Sequence, residues 1–288
     1  MFMYYTKGIN KNGYMLCLHC KENKNMHHIF SYIYDMTSQC DDIVLLIQEY
    51  IKVDDYNNIV GGHKHSIVLL KDNTVKCWGD NSYGQCNVPD SIQGNNHNVN
   101  INNDNVVGKV DSISSSHYYS CALFCNNTIK AWGTNFTGQC DVPDFIQGKV
   151  ISTSCGLHHS CALLNDNTVK CWGNNEFGQC NVPDSIQGNN HIVNINNDNI
   201  VGKVISISCG YNHIVGLLNN NMIKCWGDNN DGQCDVPESI QDRVVSIECG
   251  AYYSIAFLND NTIKCWGNND FGQCDVPDSI QGKIMRKN

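Results

Sequence analysis

Cysteine and histidine are the side chains through which this chain could do chemistry, 18 and 11 of them among 288 residues. The cysteines recur within one stretch, CWGNNEFGQC at 171–180. It returns as CWGDNSYGQC at 77–86, AWGTNFTGQC at 131–140, CWGDNNDGQC at 225–234 and CWGNNDFGQC at 265–274. Thiols so placed would hold a soft metal, form disulfides or supply a nucleophile. The copies themselves decide among these. Cys161 and Cys171 flank an Asn-Asp-Asn turn and would face each other, but the equivalent pairs are Ile67/Cys77, Cys121/Ala131, Val215/Cys225 and Ile255/Cys265. Only one copy could close that bond, and a site exchanging Cys with Ile, Val and Ala reads as a small buried apolar side chain. The GQC cysteines, Cys86, Cys140, Cys180, Cys234 and Cys274, could bond the cysteine before Trp in four copies. The N-terminus, MFMYYTKGINKNGYMLCLHC, lacks the apolar core of a secretory leader. A reducing compartment is therefore expected, with these groups as thiols.

Metal and catalysis fare no better. Cys17 and Cys20 form a C-x2-C pair with His27, His28 and Cys40 following, but no second pair of defined spacing completes a zinc knuckle. His65, His159 and His213 share one repeat position with Tyr119 and Tyr253. That exchange suits an aromatic hydrogen-bonding role and not a base or a ligand. No nucleophile elbow, phosphate loop or HExxH helix is present, and the Asp/Asn turns lack the glycine and glutamate of a calcium loop. The chain is read as not an enzyme, with no catalytic residue, metal or cofactor.

The elements that must carry these residues follow from the repeat. The tryptophans stand at 78, 132, 172, 226 and 266, spaced by 54, 40, 54 and 40. The long spacings each hold a 14-residue insert, NNHNVNINNDNVVG at 95–108 and NNHIVNINNDNIVG at 189–202. Without them the period is 40. In the unit 203–242, KVISIS alternates as a strand, HIVGLL is a second, NNN a turn and MIKCWG a third. GQCDVP is expected as a fourth strand ended by Pro237. Four short strands per 40 residues are the mark of a propeller blade. The fold expected is all-β, a β-propeller with five four-stranded blades. Asn in the inner turn is expected to take positive φ. Gly79, Gly133, Gly173, Gly227 and Gly267 are expected where chains pass closely, with Trp78, Trp132, Trp172, Trp226 and Trp266 as anchors between blades.

The unit G-x-x-H-S-x-A-L-L-x-D-x-T-V-x-x-W-G-x-N-x-x-G-Q at 156–179 resembles the repeats of the regulator of chromosome condensation family. The Val-Pro after GQC is similar to a shorter, 40-residue branch that includes a bacterial β-lactamase-inhibitory protein. The likeness covers about 57–283 and implies a propeller. The chain departs from the family pattern with Asn in place of the turn glycine and with Ser116 where other copies have Gly, so a distorted second blade is expected.

Two segments stand outside the repeat. Residues 1–56 read as an N-terminal segment, with degenerate blade strands and short helices at HHIFSYIYDM and DDIVLLIQEYIKV, ahead of the repeats at 57–288. GKIMRKN at 282–288 restarts the first strand of a unit, so a sixth blade closed by the two termini is one reading, and a small separate helical module in the N-terminal segment is its rival. The inserts are the loops that depart from the pattern. Their His97, Asn100, Asp104, His191, Asn194 and Asp198 are the partner-binding residues expected, as paired arms, with neutral copied filler as the rival reading. Net charge −9 disfavours direct nucleic-acid binding, and no apolar run reaches membrane-crossing length. A monomeric intracellular protein, cytoplasmic or nuclear, is expected to act as a protein–protein scaffold. The family resemblance implies the alternative of guanine-nucleotide exchange on a small GTPase.

Overall fold

The computed structural model describes residues 56–92, 109–187 and 202–282. Fifteen strands form five antiparallel sheets of three. The blades are β1–β3 (Tyr56–Gly61, His65–Leu70, Val75–Gly79), β4–β6 (Val110–Ser115, Tyr119–Phe124, Ile129–Gly133) and β7–β9 (Val150–Cys155, His159–Leu164, Val169–Gly173). Blades four and five are β10–β12 (Val204–Cys209, His213–Leu218, Ile223–Gly227) and β13–β15 (Val244–Cys249, Tyr253–Leu258, Ile263–Gly267). The inner hairpin of every blade turns on an asparagine with positive φ, Asn73, Asn127, Asn167, Asn221 and Asn261, at 63–66°. Asn tolerates this left-handed conformation better than other non-glycine residues. The Asp or Asn before it accepts the backbone N–H two residues on, as Asp166 does from Thr168 at 2.9 Å.

The expected fourth strand is absent from every described sheet. GQC is instead a tight loop, with Gly84, Gly138, Gly178, Gly232 and Gly272 at positive φ. Its asparagine claims the backbone that a strand would use: Cys86, Cys140, Cys180, Cys234 and Cys274 each donate N–H to an Asn Oδ1 at 2.7–2.9 Å. A short 3-10 turn follows the proline, which has no N–H for a ladder. The open edge of the third strand is satisfied by a side chain. Gln147 Oε1 accepts from Ile129 N–H and its Nε2 donates to Ile129 C=O, both at 2.9 Å. Gln241 and Gln281 treat Ile223 and Ile263 the same way.

The core lies between blades. Cys121, Leu123, Ile129 and Ile146 of blade two pack on Val150, Ala162 and Leu164 of blade three, with Trp172 against them. The same interleaving joins blades one and two, three and four, and four and five. The middle strands of blades two, three and four are buried on both faces. The second blade is undistorted: its strands, pairings and the irregularity after Val110 match those of blades three to five. Residues 1–55 and 283–288, including the expected N-terminal helices and a sixth blade, lie outside the described residues.

Candidate protein-binding face

Each blade joint is fixed by a polar knot as well as by apolar packing. Trp132 Nε1 donates to Gln85 C=O of the preceding blade, and Trp172, Trp226 and Trp266 do the same to Gln139, Gln179 and Gln233, all at 3.0–3.1 Å. Trp78 heads the first described blade, and its buried Nε1 has no partner. The Gln side chain meanwhile accepts the N–H two residues before it, as Gln179 Oε1 does from Phe177 at 2.9 Å. The glycine after each Trp has φ of 100–113°. A Cβ on Gly173 would stand 2.6 Å from His158 C=O, so only glycine fits.

The shared His/Tyr position completes the knot and tests the catalytic reading. His65 Nε2 lies 3.0 Å from Ser120 Oγ, and His213 Nε2 lies 3.0 Å from Ser254 Oγ. These resemble nucleophile–base pairs. Yet each serine hydroxyl donates to a backbone carbonyl, Gln85 at 3.2 Å and Gln233 at 2.8 Å. The imidazole must then donate from Nε2, the opposite of what a base would do. Neither Nδ1 has a partner, so no carboxylate orients the ring. Burial pushes both imidazoles down to about 4. Tyr119 does the same work differently: its hydroxyl donates to His159 C=O at 2.5 Å and stands 3.0 Å from Ser160 Oγ. These are joints.

The sequence reading holds no disulfides, and the structure corrects it twice. Cys161 and Cys171 are directly opposed in β8 and β9 and are bonded. Cys265 and Cys274 are bonded across the WG loop. In both pairs the fold sets the sulfurs side by side. Among the described residues no group of three or more His, Cys, Asp or Glu is placed to hold a metal ion; Cys17 and its neighbours lie outside them. No described helix is long and apolar enough to cross a membrane.

One end of the blades gathers features that single motifs did not reveal. The loop joining the first two strands meets the loop leaving the third: Asp80, Thr134, Asn174, Asp228 and Asn268 donate N–H to Lys64, Tyr118, His158, Asn212 and Tyr252 C=O at 2.7–3.0 Å. Neighbouring blades are tied there too, by Leu157 N–H to Tyr211 C=O and Tyr211 N–H to Ala251 C=O. On this scaffold the rings form a continuous band. Phe136 meets Tyr83, Tyr83 meets Tyr118 at 5.0 Å, and Tyr118 meets His117. His117 stacks on His63 at 4.1 Å, and Tyr211 closes on it at 4.5 Å, with Tyr211 Oη 2.7 Å from His117 Nε2. Tyr252 packs on Tyr211 at 5.0 Å. Burial, then the neighbouring His63, His158, His65 and Lys64, push the His117 imidazole down to about 3. His117 is therefore uncharged at neutral pH.

Phe136 and Phe271 are 81% and 72% exposed on these loops, and Tyr83, Phe177 and Tyr252 are also exposed. Glu176, Asp231 and Asp270 stand exposed among them. Sequence reasoning missed this surface because the loop positions vary in type: Tyr83, Thr137, Phe177, Asp231 and Phe271 are equivalent. The usable signal was position, two or three residues before an invariant Gln. The inserts root at the other end, near the inner turns, where Cys125 N–H reaches Lys109 C=O and Asn219 N–H reaches Lys203 C=O. The insert residues expected to bind a partner, His97, Asn100, Asp104, His191, Asn194 and Asp198, lie outside the described residues.

Comparison with known proteins agrees with the blades. The regulator of chromosome condensation (RCC1) repeat model matches 57–85, 150–179, 204–233 and 244–273. The second blade, which carries Ser116 and Ala131, is not matched, though it folds in the same register. A comparison with curated protein sequences found no relative. Among solved structures, the chain is similar to the ectodomain of the Physcomitrella patens receptor kinase CR4 (21% identity, 77% of this chain and 54% of that one, TM-score 0.55). It is also similar to human WBSCR16 (24%, 79% and 63%, 0.54). A third is yeast RCC1 (Prp20), solved with Kap60 bound (21%, 78% and 58%, 0.55). The chain thus spans under two thirds of the length of these structures, and the likeness is one of fold. The chain carries the regulator of chromosome condensation repeat, matched in four copies and recurring in structure on five equivalent blades.

Proposed function

We propose that this propeller is a non-enzymatic protein-binding scaffold whose binding face is the aromatic band. The observation that carries the reading is the unbroken run of rings from Phe136 to Tyr252, presented on loops that are hydrogen-bonded from blade to blade. Exposed aromatic side chains on a rigid support are what interface hot spots are made of. The carboxylates of Glu176, Asp231 and Asp270 favour a partner surface rich in Lys or Arg, both by steering and by placing cations over ring faces. Yeast RCC1, which shares this fold, was solved in complex with another protein, Kap60.

The experiment is a pull-down with mass spectrometry on three forms of the full chain. These are the wild type, a Tyr83→Ser/Phe136→Ser/Phe271→Ser variant, and a variant lacking 95–108 and 189–202, each checked for folding by circular dichroism. The expected result is a protein partner lost only from the aromatic variant. Loss only from the deletion variant would overturn the reading and make the inserts, with His97, Asp104, His191 and Asp198, the binding arms. Regulation of a small GTPase is the narrower form of the same function, separated from passive capture by GDP release measured on a captured GTPase.

A further inference from the structure

We propose that the WG loops carry a built-in disulfide site, so that Cys77–Cys86 in blade one and Cys225–Cys234 in blade four form the same bond as Cys265–Cys274 in blade five. In blade one the two thiols are already in contact, Cys77 Sγ donating to Cys86 Sγ at 2.9 Å. In blade five the equivalent sulfurs are bonded, with Cα atoms 4.9 Å apart. In blade four Cys225 interacts with Cys234, and both Cys77 and Cys225 also point Sγ at the following Gln carbonyl, 3.5 Å away in each case. The register of the third strand and the Asn-held loop fix this geometry once per blade, and both bonding partners are held before any oxidation.

The other two blades are natural controls. Blade two has Ala131 at the strand position, so Cys140 has no mate there and keeps only the contact to Thr134 C=O that Cys86 and Cys234 likewise make to Asp80 and Asp228 C=O. In blade three Cys171 is taken by Cys161, and Cys180 donates to Asn174 C=O. By the repeat geometry Cys171 is a branch point, with Cys180 at the position from which Cys86 meets Cys77.

The chemistry is thiol–disulfide exchange with a small disulfide oxidant such as oxidised glutathione. Cys86, which accepts the Cys77 hydrogen, attacks one sulfur of the oxidant as thiolate. That S–S bond breaks, one glutathione thiolate leaves, and a mixed disulfide forms. Cys77 then attacks the Cys86 sulfur and releases the second glutathione. Two cysteine thiols are oxidised, one glutathione disulfide is reduced, and the two protons go to the released thiolates. Burial pushes the Cys77 and Cys86 thiols upward, so exchange is slow at neutral pH and the bond, once made, resists reduction.

The test is disulfide mapping of the full chain after equilibration in glutathione buffers of rising oxidised fraction, with acid quench, alkylation and peptide mass spectrometry. The expected result is bonds 77–86, 225–234 and 265–274, with Cys140 and Cys180 alkylated. A Cys161→Ala variant should move Cys171 onto Cys180. Cys77 and Cys86 found alkylated under conditions that bond Cys265 to Cys274, or paired with other cysteines, would overturn the proposal. So would a Cys161→Ala variant that is folded by circular dichroism yet leaves Cys171 free.

Discussion

The joint between blades four and five and the joint between blades three and four bury equivalent apolar sets and treat the joint histidine differently. At the first, Ser254 sits between the His213 ring and Gln233 C=O. At the second, Ile214 replaces that serine and is itself fully buried, and neither ring nitrogen of His159 has a hydrogen-bond partner. Both joints keep the indole bond, Trp266 to Gln233 and Trp226 to Gln179. The indole and the apolar layer are thus the constant of a blade joint, whereas the imidazole–hydroxyl bond is an addition that one joint does without.

The largest effects should therefore fall on the tryptophans and be the same at both joints. Trp226→Ala and Trp266→Ala are each expected to lose about 3–5 kcal/mol, read from urea unfolding midpoints. A much smaller loss at either would show that the indole is not the common element.

Acid comes next. Burial holds His65 and His213 at about 4 and His159 at about 3. Their folded pKa values lie below the unfolded value, so their contribution is whole above about 6.5 and is lost as pH falls toward the folded values. Each should remove up to about 1.4 kcal/mol per pH unit in that window. Urea midpoints taken from pH 7.5 to 4 should fall steeply in the wild type and less steeply in a His159→Tyr variant. Equal slopes would place the acid sensitivity elsewhere.

Glu248 titrates with the opposite sign. Burial pushes its carboxyl up to about 8, with Ser208 Oγ at 3.4 Å offsetting part of that. Its effect on stability is absent below about 4.5 and unfavourable as pH rises toward 8. Glu248→Gln should gain about 1–2 kcal/mol at pH 8 and nothing at pH 4. A gain of equal size at both pH values would point to packing instead of charge.

The smallest effects separate the two joints directly. Ser254→Ala removes the partner of His213 Nε2 and should lose about 1–2 kcal/mol. Ile214→Val at the other joint touches no hydrogen bond and should lose about 0.5–1.5 kcal/mol. The discriminating reading is acid slope: Ser254→Ala should steepen it, and Ile214→Val should leave it unchanged.

Much of this fold was legible because the chain states it five times. The 40-residue period, the three inner strands and the positive-φ asparagines all follow from comparing copies. The His/Tyr exchange read as hydrogen bonding because one site used two chemistries, and the structure shows how: His65 reaches a serine, Tyr119 a carbonyl. The fourth strand misled because GQCDVP alternates like a strand, while its backbone groups are taken by Asn side chains that local pattern does not reveal. Cys161–Cys171 was underread because a bond in one copy need not appear in the others. The aromatic band was illegible for a deeper reason. Its members come from four blades and from two different loops, and although His117 and Tyr211 hold one repeat position, 94 residues apart, that position is His63, Leu157 and Ala251 in the other copies, so residue type does not mark it.

The most direct test of the central claim is amide hydrogen exchange on the chain alone and with its captured partner. Protection is expected in the loops around Tyr83, Tyr118, Phe136 and Tyr252, with the inner turns at Asn73, Asn127, Asn167, Asn221 and Asn261 unchanged. Protection confined to those turns, with the aromatic loops unaltered, would contradict the assignment of the binding face.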